Sequence, residues 1–261
     1  MRVAVLDMYN NRPGQGIRGI RSLLDGNPLV SHYEIFNVRG ANHVPDNSFD
    51  AYISSGGPGN PLEQHYPWYQ QWVALMDDLL NNHRGKKHVF LICHSFQVMC
   101  HHLGVAEVRL RKSPAFGIFP VHKSEFGPSE SLFKELADPF YAVDSRNWQV
   151  VQPDPDKLKS INAQVLCIEK ERPHVDLERA CMGIRFSESF VGFQFHPEAD
   201  AHGMMVYFRS PQKKREVIRD HGEEKYNEML RLLDDEDKIM HTYRCIIPAF
   251  LQASAKSMAT R

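Results

Sequence analysis

The hydrophobic positions of the first hundred residues alternate between two rhythms. Val3-Ala4-Val5-Leu6 is a continuous apolar run, and Tyr33-Glu34-Ile35-Phe36-Asn37-Val38 alternates, so both predict strands, over 3–8 and 33–38. Asp50-Ala51-Tyr52-Ile53-Ser54 predicts a third strand, and Val89-Phe90-Leu91-Ile92, rich in β-formers, a fourth. Between them the spacing turns helical. Ile17, Ile20, Leu23 and Leu24 predict a short amphipathic helix, and Trp68, Trp72, Leu75, Met76, Leu79 and Leu80 a longer one from Pro67 to Asn82. Phe96, Met99, Cys100 and Leu103 repeat that spacing directly after the fourth strand. The stretch from Asn10 to Gly16 is a loop by composition. Strands alternating with helices predict an α/β fold with an open, mostly parallel, doubly wound sheet.

Past about residue 105 the texture changes. The segments 105–121, 141–151, 165–169 and 181–195 are mostly strand-like, and only 131–136 looks helical. This predicts a β-rich second half joined to the same sheet. Residues 204–208, 217–233 and 239–251 return to helical spacing. The expected organisation is one domain over 1–200 and a helical extension over 201–261 packed on it. Charge runs in the extension, such as Lys213-Lys214-Arg215 and Asp234-Asp235-Glu236-Asp237, read as solvated faces and turns.

Composition narrows the function classes. Of 261 residues, 31 are Lys or Arg and 32 Asp or Glu, a net charge of -1, which supplies no attraction to nucleic acid or an anionic membrane. No apolar run reaches the length of a bilayer span, and the start of the chain reads as a first strand rather than a signal peptide. Five cysteines without a Cys-x-x-Cys pair fit a reducing compartment, so a cytoplasmic location is expected. Cys100, Cys167, Cys181 and Cys245 read as apolar fillers. His94, His101 and His102 lack the spacing of a metal site, and neither metal nor cofactor is expected.

Three stretches carry candidate chemistry. In Ile92-Cys93-His94-Ser95-Phe96-Gln97 a cysteine stands where a strand turns into a helix. That is the geometry of a nucleophile elbow, and the unpaired N–H groups of a helix N-terminus favour an anion there. Taken alone, a cysteine closing an apolar strand is more often an inert core residue. Ser54-Ser55-Gly56-Gly57-Pro58-Gly59 also follows a strand, at the same carboxyl edge of a doubly wound sheet. The N–H groups of Gly57 and His94 can then form an oxyanion hole. In Phe193-Gln194-Phe195-His196-Pro197-Glu198, His196 and Glu198 lie two apart and face one side of an extended chain, which suits a histidine oriented by a carboxylate.

Together these stretches resemble the class I glutamine amidotransferase family, over roughly residues 1–200, and among its members the glutaminase half of GMP synthase. The resemblance implies a flavodoxin-like open sheet and a triad of Cys93 as nucleophile, His196 as base and acid, and Glu198 as orienter. It also implies that Gly56 and Gln97 contact a glutamine substrate. It further implies that released ammonia passes to a separate synthetase subunit, or that the chain hydrolyses its substrate alone, as a monomer or homo-oligomer. The chain departs from the family pattern at Leu91 and Ser95, where elbows usually carry glycine. Asp144-Ser145-Arg146-Asn147-Trp148 replaces a Ser-His-Gly-Asp-like stretch, and Arg146 is the candidate there for meeting a carboxylate. Two other readings stay open: a stand-alone hydrolase of a γ-glutamyl or related amide, and a non-catalytic binding protein on the same scaffold.

Overall fold

The computed structural model describes all residues except Pro13, His174, Val175, Glu236, Asp237, Thr260 and Arg261. Parts of the predicted loop at 10–16 and of the acidic run at 234–237 therefore lie outside the described residues.

Strands β1 (Arg2–Asp7), β2 (His32–Asn37), β3 (Ala51–Ser54) and β4 (His88–Ile92) pair in parallel in the order β2-β1-β3-β4. Helices α1 (Gln15–Leu24), α2 (Val38–Ala41) and α3 (Pro67–Asn81) connect them, and α4 (His94–Leu103) leaves β4. β3 and β4 are buried along their whole length. Such strands need apolar cover on both faces, which the crossover helices provide. Trp72, Met76 and Leu79 of α3 pack on one face with Phe96. Ile20 and Leu24 of α1 pack on the other, with Phe90.

The second half closes on the same sheet. Strands β5 (Glu107–Lys123), β6 (Phe140–Val151), β7 (Gln164–Glu169), β8 (Cys181–Ser187) and β9 (Phe190–Phe193) extend the order to β4-β9-β8-β7-β5-β6. β9 joins β4 in parallel, with Leu91 opposite Gly192 and Ile92 opposite Phe193. All later pairings are antiparallel, and three of the four carry register shifts. The β4–β9 pair is thus the seam between a regular parallel half and an irregular antiparallel half. A short helix α5 (Pro155–Ser160), capped by Asp154, links β6 to β7.

The C-terminal helices are α6 (Ala201–Arg209), α7 (Pro211–His221), α8 (Glu223–Asp234) and α9 (Ile239–Ala259). The sequence pattern predicts one helix over 217–233, but the chain breaks at Gly222, whose φ of +87° side-chain-bearing residues avoid. The expected helix at 131–136 is reduced to a single 3₁₀ turn, Ser131–Phe133. The apolar run at 181–195 folds as the β8–β9 hairpin rather than one strand. α9 buries Ile246, Ile247, Phe250 and Leu251 in the main core, while α6, α7 and α8 form a smaller cluster against Ile118 and Val143.

Candidate active site

Cys93 is the residue between β4 and α4. Its backbone has φ +46° and ψ −96°, a strained conformation for a residue with a side chain. Two bonds over-determine it: Cys93 N–H donates to Phe193 O at 2.7 Å across the seam, and Gln97 N–H donates to Cys93 O at 3.0 Å within α4. The departures from glycine at the elbow have visible compensations. Leu91 is fully buried, and its Cβ fills the space that Gly192, its register partner, leaves open. The Ser95 hydroxyl donates to Ser55 O at 2.7 Å and lies 2.7 Å from Ser54 Oγ, which accepts from Trp72 Nε1 at 3.1 Å. Ser95 thereby fastens the elbow helix to the strand that leads into Gly56 and Gly57.

His196 follows β9 by three residues. Its N–H donates to Val143 O at 2.9 Å, which pins it to β6. Its Nδ1 lies 2.8 Å from Glu198 Oε1, and Glu198 is 1% exposed. The Cys93 side chain stands against the same imidazole. Burial works against a charged ring, but Glu198 and Cys93 beside it outweigh this and raise His196 well above the ordinary histidine value. Gly56 makes the approach possible: a Cβ there would lie 2.8 Å from His196 Cε1 and 3.4 Å from Cys93 Cβ. Cys93, His196 and Glu198 border one pocket of about 290 Å³, together with Gly57 and Tyr9.

Of the other residues predicted for the site, Gly57 lies beside Cys93, held by a turn whose Pro58 carbonyl accepts from Arg39. His94 is the first residue of α4, so its N–H has no intrahelical acceptor. Its side chain turns inward instead. Burial, with Arg39 nearby, pushes the imidazole down to about 3, and neither ring nitrogen finds a hydrogen-bond partner among the described residues. The Gln97 amide donates to Trp148 O at 3.2 Å and to Gln194 Oε1 at 3.1 Å. The Arg146 guanidinium is committed elsewhere. It is buried and bonded to Asp144 at 2.9 and 3.1 Å and to Glu169 at 3.3 Å, and it lines the larger cleft that also opens on Cys93. The backbone carbonyl of the preceding residue, Ser145, lies 4.0 Å from Cys93 Sγ.

Sequence reasoning missed several residues here. Gln194 Nε2 donates to Cys93 Sγ at 3.5 Å. Tyr9, half-buried, lines the same pocket, and desolvation of its phenol, with Glu198 nearby, raises it well above the ordinary tyrosine value. Gln194 stands within the Gln-Phe-His-Pro-Glu motif itself, so its position was a signal; Tyr9 had none. Met204 and Tyr207 of α6 also line the thiol pocket. A second cleft of about 780 Å³ opens on Cys93 and is walled by Lys213, Glu216 and Asp220 of α7. The helical extension is therefore part of the site's wall. Among the described residues no three His, Cys, Asp or Glu side chains form a metal-ligand group, and no helix is long and apolar enough to cross a membrane.

The protein is thus an α/β fold whose sheet edge brings a strained cysteine at a strand–helix turn into one pocket with a carboxylate-bound imidazole. More specifically, the chain belongs to the class-I glutamine amidotransferase family, whose family model matches residues 29–210. The fold is similar to that of a glutamine amidotransferase from Thermotoga maritima, with TM-score 0.70, 16% identity and 98% of each chain covered. It is also similar to the glutaminase domain of a Trypanosoma brucei CTPS with bound acivicin, with TM-score 0.59, 14% identity, and 98% of this chain and 94% of that one covered. Among curated proteins, a homoserine O-acetyltransferase from Acetivibrio thermocellus is 29% identical over 136 residues. That match spans 51% of this chain and 41% of the relative.

Proposed function

We propose that the protein is a glutaminase-type amidotransferase that releases ammonia from glutamine through a cysteinyl thioester. The observation that carries this reading is the meeting of Cys93 with the Glu198-bound imidazole of His196 in one pocket. Sγ attacks the side-chain amide carbon, and the oxyanion is held by the N–H groups of Gly57 and His94, each such donor being worth about 3 kcal/mol of barrier. His196 protonates the departing ammonia, which leaves a γ-glutamyl thioester on Cys93. Water deprotonated by His196 then releases glutamate and the thiol. Glu198 keeps the ring oriented and stabilises the imidazolium. With Gln97 engaged by Trp148 and Gln194, its part is to shape the pocket and hold Gln194 against the sulfur. The ammonia passes to a synthetase of the GMP synthase kind on a separate subunit.

A second reading is acetyl transfer, in which a thioester donor acetylates Cys93 with release of its own thiol and the acetyl-cysteine then passes the acetyl group to an alcohol. It is favoured by the larger cleft that also opens on Cys93, and by the partial similarity to an O-acetyltransferase. Incubation with glutamine alone separates the two. The first reading expects equal amounts of ammonia and glutamate, abolished in Cys93→Ser. Absence of both, with acetyl transferred from a thioester donor to homoserine, supports the second.

A further inference from the structure

A recess apart from the thiol pocket lies along the β5–β6 ribbon, its rim formed by the exposed Leu110 and Lys112. This cavity, of about 660 Å³, falls in the size range of small-molecule sites. Its floor is apolar, built from Phe119, Val121, Ala142 and Met182. Its walls are cationic: Arg109, Arg111, Lys112, Lys170 and Arg172 face Asp144 and Glu169. Adding Arg146 behind the wall, and the carboxylates of Glu107 and Glu178 that pair with Arg109, leaves six cations against four carboxylates. In a chain of net charge -1 this is a local surplus of positive charge along a recess whose rim, at Lys112, is exposed.

The internal acids are already saturated. Glu169 alone receives Arg111 at 3.1 Å, Arg146 at 3.3 Å and Arg172 at 3.1 Å. Burial would raise its carboxyl, but Arg146 and Arg111 hold it below the usual range, so it cannot take up further positive charge by ionising. Donors are left over. Arg172 Nε is buried with no acceptor among the described residues. Among those residues Lys112 and Lys170 have no carboxylate within salt-bridge distance, and Lys170 lies 4.2 Å from the centre of the Phe119 ring. Burial, with Lys225 nearby, lowers Lys170 from the ordinary lysine value, as expected of a cation short of an anion.

We propose that this cavity binds a small organic anion bearing phosphate, its charged group between Lys112, Lys170 and Arg172 and its less polar portion on the Phe119–Met182 floor. The site is distinct from the thiol pocket, though it shares Ser113, Pro114 and Ala115 with the larger cleft that opens on Cys93; Asp144 lines the cavity, and the Ser145 carbonyl lies 4.0 Å from Cys93 Sγ. Because the test reads binding and not turnover, it stands apart from the outcome at Cys93.

The experiment is calorimetric titration of the full chain with ADP and with pyrophosphate, without added metal. Wild type is expected to bind both probes. Lys112→Glu/Lys170→Glu weakens both by about tenfold or more, and Cys93→Ala leaves both unchanged. A melting curve checks that the double variant folds. If it does not, Lys112→Gln/Lys170→Gln is read instead, with at least about threefold weakening expected. Failure of wild type to bind either probe at about 5 mM, a concentration at which even a weak site of ~4 kcal/mol fills, overturns the proposal. Equal affinity of wild type and the folded variant also overturns it.

Discussion

The two halves of the sheet differ in how they are made. From β2 to β4 the strands are short, parallel, in uninterrupted register and covered by helices contributed from neighbouring sequence. From β9 to β6 they are antiparallel, shifted in register, and joined by excursions that bring together residues far apart in the chain. The first half presents Cys93, and the second presents the residues that share its pocket. The lesson is a division of labour: a regular edge holds Cys93 in a strained conformation, and an irregular edge brings His196, Glu198, Gln194 and Ser145 around it. Catalysis on this account depends on the seam between the halves as much as on either one.

Three substitutions probe that division, in descending order of effect. Glu198→Gln, on the irregular side, keeps the shape but no longer fixes the imidazole tautomer. Glutaminase kcat/KM is expected to fall about a hundredfold or more, with little change in melting temperature. Retained activity would mean that the second half only lines the pocket. Phe193→Ala attacks the seam itself. Phe193 is fully buried with Phe90, Phe133 and Phe195 around it at ring-centre distances of 5.5, 5.6 and 5.1 Å. A loss of about 3–5 kcal/mol in urea unfolding is expected. A cost below about 1 kcal/mol would show that the halves hold together without it.

The smallest effect is a pH dependence on the regular side. In the folded protein the His94 ring is pushed down to about 3, whereas the unfolded chain protonates it near the ordinary value of about 6.5. Between these values only the unfolded state takes the proton. The contribution is therefore fully present above about pH 6.5 and is lost as the pH falls toward 3. Urea midpoints at pH 7 and pH 5 are expected to differ less for His94→Gln than for wild type. Identical differences would show that His94 does not carry the acid sensitivity.

The same contrast explains what was legible in the sequence. The parallel half declares itself through apolar runs and helical spacing, because each strand there is buried on both faces and its cover lies nearby in the chain. The elbow at Cys93 and the pair His196 and Glu198 were readable because their geometry is local: a strand–helix junction, and two residues of one extended segment. Arg146 shows the limit. Its residue type suggested a carboxylate anchor, and it does line the larger cleft with Cys93, but Asp144 and Glu169 of the chain itself already bond its guanidinium. That Glu169 of β7 reaches Arg146 depends on long-range strand pairing, and no local pattern encodes that. Tyr9 and the α7 wall reach the cleft for the same reason, through packing between distant segments. Leu91 and Ser95 looked like defects until Gly192 and Ser55, from other strands, supplied the complementary space and acceptor.

The central claim is that the Cys93 sulfur and the His196 imidazole work as one unit across the seam. The most direct test is covalent labelling with a glutamine-derived electrophile, read by intact mass and peptide mapping. The account predicts a single label on Cys93, none on Cys100, Cys167, Cys181 or Cys245, and a labelling rate at least about a hundredfold lower in His196→Ala. Labelling of another cysteine, or an unchanged rate in His196→Ala, would contradict it.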